Sequence, residues 1–248
     1  MGKMNDFKVI YELIGYQYKQ YILSSKWIMP MIALIAVLSV MYSITPVKVV
    51  NSFSIMSLFV FLLMVWIGVT NQNVEPEVSE QIIILRIKSE RKYYISHILF
   101  MGMISVIMTV VSIGIPILNN ILHSGGVFGR KVIWSDIIGG LILMSSCAFV
   151  GAMVGGLFHL RIINEKAIGI GATFFLSLLA IIRIGVIDKF PASKYILWIV
   201  PPVSDVVSWF SNKEYYDMGK IMVAFGIMMI YGVVLAIVKV ELMRIRKF

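Results

Sequence analysis

Six apolar stretches constrain this chain more than any motif does. They cover residues 27–44, 53–72, 95–118, 137–158, 167–187 and 221–238, and one charged residue, Arg183, lies within them. Each is close to the ~20 apolar residues that a membrane-spanning helix needs. An uncharged run of this length has no stable place in water unless a large core covers it. The chain has 248 residues, 59% hydrophobic and 14% charged, which excludes disorder, a secreted disulfide scaffold and an ordinary soluble enzyme. Cys147 is the one cysteine, so no internal disulfide forms. Period-two alternation does not recur along the chain, which argues against a β-barrel. The expected fold is an all-α membrane protein with six transmembrane helices, forming a single transmembrane domain over 1–248. Pro30 lies in the first turn of the first span, where it costs little. Gly114 and Pro116 are expected to kink or end the third span.

The segments between spans carry the charge. If both termini lie in the cytoplasm, fourteen of the 22 Lys and Arg residues fall on that side and eight on the other. This bias favours a cytoplasmic placement of both ends. No apolar signal-peptide core precedes residue 27, so the first span is expected to act as an uncleaved signal. Residues 4–26 place Phe7, Ile10, Ile14, Tyr18 and Tyr21 on one helical face and Lys8, Glu12 and Lys19 on another. That pattern reads as an amphipathic helix in the membrane interface, contacting lipid, or as an extension of the first span. Residues 73–94 surround the apolar patch at 82–85 and Ile87 with four Glu and four Lys or Arg residues. Such a patch either docks on a partner or caps the bundle as a solvated helix. The loop at 159–166 offers a second, smaller contact or a plain connector.

Residues 188–217 are too apolar for a solvated loop. Pro201-Pro202 divides them into two expected short helices, 196–200 and 203–210, with Trp198 and Trp209 at the outer interface. This re-entrant hairpin is either a gate or an anchor. Cys147, Gly151 and Gly155 form one small-residue ridge, and Gly169, Thr173 and Ser177 form another. Small residues at every fourth position let helix backbones approach closely, within one chain or between two.

Catalytic signatures are missing. Gly2-Lys3 and Gly219-Lys220 lack the remainder of a phosphate-binding loop, and no H-E-x-x-H or G-x-S-x-G motif occurs. His97, His123 and His159 are isolated in sequence. Scarce charge within the spans argues against ion-coupled transport and voltage sensing. The chain is therefore expected not to be an enzyme, to bind no metal and no nucleic acid, and to draw any transport energy from a partner.

The order of elements resembles the permease subunits of the type-two ABC exporter family: an entry helix, two spans, a charged inner loop, then four spans with a hydrophobic hairpin before the last. The segment at 80–96, EQIIILRIKSERKYYIS, is similar to that family's coupling segment, with a Glu, an apolar pair, and a Ser and Arg leading into the third span. Gln81-Ile82 stands where the family carries Gly-Thr, and the sequence around Ser89 where it carries Pro. The resemblance implies a homo- or heterodimer of permease chains in the bacterial cytoplasmic membrane. Two separate ATPase subunits would bind the ATP and Mg, leaving this chain without a cofactor. Glu77, Glu80, Ile83, Ile84, Ile87 and Arg91 would engage the ATPase, with Asn164 and Lys166 nearby. The cargo would be a peptide, such as an antimicrobial or toxin peptide, or another hydrophobic compound. Alternatives of other classes are a non-transporting anchor that recruits a cytoplasmic partner, and an enzyme whose site carries no known motif.

Overall fold

The computed structural model describes residues 6–158 and 165–245. The elements in order are α1 (Asp6–Leu23), α2 (Ile28–Met41), α3 (Val49–Asn71), α4 (Glu77–Ile87), α5 (Glu90–Leu122), α6 (Trp134–Gly155) and α7 (Lys166–Lys189). A 3-10 turn (Pro191–Ser193), α8 (Lys194–Leu197), α9 (Val203–Ser208) and α10 (Met218–Ile245) complete them. Among the described residues no strand forms beyond an isolated bridge between Val47 and Phe128. Five helices, α3, α5, α6, α7 and α10, are long and apolar enough to cross a membrane, which makes this an all-helical, multi-pass membrane protein. A sixth span exists if α1 and α2 are taken together, but they meet at 74°. The expected first span at 27–44 therefore contains only the 14 helical residues of α2, about 21 Å at ~1.5 Å per residue.

The centre is the parallel pair α3 and α6, and glycine makes it possible. A Cβ at Gly68 would lie 2.7 Å from the Ala152 carbonyl oxygen. Cβ atoms at Gly151 and Gly155 would run into the carbonyl oxygens of Phe61 and Val65. The ridge Cys147, Gly151, Gly155 thus packs within the chain, against α3. Helices α5 and α10 flank α6, and Gly232 of α10 packs its backbone on the Phe149 ring. Gly169, Thr173 and Ser177 are the buried stripe of α7, whose opposite side exposes Phe174, Phe175, Leu178 and Ile182. Buried hydroxyls of Ser105, Thr109 and Ser112 on α5 donate to carbonyls one turn back, which satisfies them without breaking the helix.

Pro116 does not end α5. The helix runs through it to Leu122, with Pro116 buried. At 33 residues, α5 is about 50 Å long against a hydrocarbon core of ~30 Å. The excess length places a polar platform at one end of the bundle, here named the α4 end; the opposite end is the hairpin end. Helix α1 lies across the foot of α5, burying Leu13, Gln17 and Tyr21. Its exposed face carries Phe7, Tyr11 and Tyr18. Ile10 and Ile14 are half-buried, so the apolar residues expected on a single lipid-facing stripe are divided between two faces.

Candidate functional site

The turn between α4 and α5 is the sharpest local feature of the α4 end. Pro76 precedes α4 in extended conformation, and Lys88 ends the helix in the left-handed region at φ 57°, with its N–H donating to the Ile84 carbonyl at 2.8 Å. Ser89 then caps α5, its hydroxyl accepting from the Lys92 N–H. One left-handed residue and one capping hydroxyl fold α4 back beside the foot of α5.

The residues expected to dock divide between inside and outside. Glu80 and Ile84 are buried, and Ile84 packs with Tyr93, Tyr94 and Met243. Ile83 packs against the same cluster, and Ile87 is half-buried. Arg91 is exposed at the start of α5. Val78, Ile82 and Leu85 form the exposed apolar stripe of α4, at 66%, 60% and 74% exposure, flanked by exposed Arg86 and Lys88. Asn164 lies outside the described residues, as do the side chains of Glu77 and Lys166.

Beneath α4 is a polar cavity of about 50 Å³. Five elements line it: Gln17 and Gln20 from α1, Asn71 from α3, Glu80 from α4, Tyr93, Tyr94 and His97 from α5, and Lys239 and Met243 from α10. Gln72, Val74 and Glu75 complete the wall from the α3–α4 connection. Glu75 accepts hydrogen bonds from the Tyr93 and Tyr16 hydroxyls at 2.6 and 3.2 Å. Burial raises the Glu75 carboxyl above the ordinary carboxylate range, opposed by those two phenols and reinforced by the Glu80 charge. The Tyr94 hydroxyl donates to Glu80 at 3.3 Å. Lys239 Nζ lies 3.4 Å from His97 Nδ1, and the Asn71 amide lies 2.9 Å from His97 Nε2. Gln72 donates to the Gly155 carbonyl at 2.7 Å, tying the end of α3 to the end of α6.

The hairpin end is held by ion pairs. Arg130 grips the fully buried Asp136 through two bonds of 2.7 and 2.8 Å. Its guanidinium also donates to the Glu214 carbonyl and lies 4.2 Å over the Tyr215 ring. Arg183 of α7 pairs with Asp205 of α9 at 2.6 Å. The expected pair of short helices is present, with the first shorter and earlier than 196–200, at Lys194–Leu197. Pro201 and Pro202 are buried between them, Trp198 is exposed, and Trp209 stands at the margin. Tyr231 of α10 donates to the Trp198 carbonyl at 2.7 Å.

Sequence reasoning did not find Lys239, Asp136 or the buried role of Glu75. Lys239 and Asp136 each lie one residue beyond an apolar stretch, a position that reads as a solvated boundary charge. Among the described residues, no group of three or more His, Cys, Asp or Glu side chains is arranged to hold a metal ion. Compared with known proteins, no family model, no curated protein and no solved structure matches the chain.

Proposed function

We propose that this chain is the permease subunit of an ATP-driven exporter of the type-two ABC kind, docked through α4 onto a separate cytoplasmic ATPase. The observation that carries the reading is α4 itself, a short helix folded back at the foot of α5 with Val78, Ile82 and Leu85 unpartnered and basic residues beside them. An apolar stripe with a charged rim suits a partner's groove. Its buried side seats Ile84 against α5 and α10, so a push on α4 reaches two long helices. On this reading the platform faces the cytoplasm of a bacterial cell, both termini lie there, and α1 rests at the headgroup level of the inner leaflet. The chain acts as a dimer, the ATPase binds ATP and Mg, and the cargo is an amphipathic peptide or another hydrophobic compound. The outer hairpin closes the far side of the path.

Co-purification from the native membrane tests this. An ATPase should co-purify with the wild-type chain and be lost with Ile82→Arg or Leu85→Arg, which alter the exposed stripe and leave the buried one intact. Recovery of no ATPase with the wild type, or equal recovery with both variants, overturns the reading. Capture of a different cytoplasmic protein through the same stripe points instead to a recruiting anchor.

A further inference from the structure

The cavity beneath α4 holds a set of groups that the docking reading does not use. Lys239 is almost fully buried near the end of α10. Gly156 makes room for it, since a Cβ there would lie 2.7 Å from Lys239 Nζ. Three helices meet at this ammonium. His97 of α5 offers Nδ1 at 3.4 Å, Glu80 of α4 lines the same cavity, and the end of α6 lies alongside. Gln17 Oε1, from α1, is buried without a protein partner at the same cavity. A buried acceptor in a space of about 50 Å³ marks a seat for water, since one water needs about 10–15 Å³. His97 lines the same space.

We propose that this cavity is a proton-binding site in which His97 governs how firmly Lys239 fastens α10 to α4. A neutral imidazole accepts a hydrogen bond from the ammonium, so Lys239 is shared between α5 and α4. A protonated imidazole has no acceptor left and carries the same charge as its neighbour. The ammonium then turns wholly to Glu80, and α4 is held more tightly. The groups facing His97 and Lys239 among the described residues suit this exchange. They are Glu80 from α4, Glu75 from the preceding loop, Tyr93 and Tyr94 from α5, and the neutral amides of Asn71, Gln72 and Gln17. Glu75 is occupied by the Tyr93 and Tyr16 phenols and is not part of the exchange.

Hydrogen exchange on the full-length chain in lipid nanodiscs tests this without any ATPase, so its outcome is independent of the transport reading. Protection of 77–88, corrected for the intrinsic pH dependence of exchange, should rise about tenfold from about pH 8 to about pH 5.5, the size expected from gaining one charge-assisted hydrogen bond. His97→Gln should hold α4 at the high-pH level at both values, and Lys239→Met should remove the rise and lower protection throughout. Glu75→Gln should keep the rise, which separates His97 from that carboxyl. Protection that is flat or falls toward low pH in the wild type, or an undiminished rise in His97→Gln, overturns the proposal. If Lys239→Met does not fold, His97→Gln against Glu75→Gln still decides.

Discussion

The two ends of the bundle handle buried charge in opposite ways. At the hairpin end the carboxylates of Asp136 and Asp205 meet guanidinium groups, those of Arg130 and Arg183. Arginine stays charged at any physiological pH, and its planar fork fixes direction as well as distance. At the α4 end the carboxylates of Glu75 and Glu80 meet phenols, beside an imidazole and an amine that meet each other. Those groups exchange protons, and their hydrogen bonds are single and rotatable. One end is fastened by pairs that do not titrate and the other by groups that do.

The largest expected effect breaks the fixed end. Arg130→Met leaves the fully buried Asp136 without its counter-charge and should cost about 3–5 kcal/mol. Thermal unfolding in detergent measures it, and a loss below about 1 kcal/mol would mean that the carboxylate finds water. Next comes the frame between the ends. Gly155→Val forces methyl groups against the α3 backbone and should cost about 3 kcal/mol, the upper range for overpacking. Gly171→Ala is the control, because a Cβ there meets nothing within 4 Å, and it should stay within about 1 kcal/mol of the wild type.

A smaller effect sharpens the contrast through pH. Burial raises the Glu75 carboxyl in the folded chain, so the folded state holds that proton more tightly than the unfolded state does. The stabilisation is therefore complete below the ordinary carboxylate range and is lost as pH rises through the raised folded value. Glu75→Gln should flatten that part of the melting-temperature profile. Asp205→Asn at the other end should lower the melting temperature by removing the carboxylate that pairs with Arg183. An unchanged slope in Glu75→Gln would assign the pH response to other groups. The smallest effect is at the α4 surface, where Ile82→Ser should change stability by under about 0.5 kcal/mol because the side chain faces outward. A larger loss would show that the stripe is covered within the chain's own assembly.

Five of the six spans were legible because an apolar run of about twenty residues has few other physical outcomes. The broken hairpin was equally legible, since two adjacent prolines cannot continue a helix. Side-chain direction was harder to read. On α4 the patch at 82–87 is apolar nearly all round, so periodicity cannot distinguish Ile82, which faces out, from Ile84, which faces α5 and α10. The same limit hid which residues of α1 meet α5. Pro116 left open a kink or an end to the third span, and the helix continues through it to Leu122. Lys239 and Asp136 were hidden by position. A charge at the end of an apolar run is usually solvated, and only the packing of α4 over one and Arg130 over the other encloses them.

The glycine seam between α3 and α6 has a consequence for how this protein tolerates change. At Gly68, Gly151 and Gly155 the neighbouring atom is backbone, which cannot rotate aside as a side chain can. Every substitution there is an enlargement, and no second mutation on a facing side chain compensates for it. A saturation scan of the chain would thus rank these three among its least replaceable positions, ahead of the α4 stripe where a partner would bind. Intolerance along this seam measures how close two backbones stand, and it would be mistaken for a ligand site by anyone ranking positions on fitness alone.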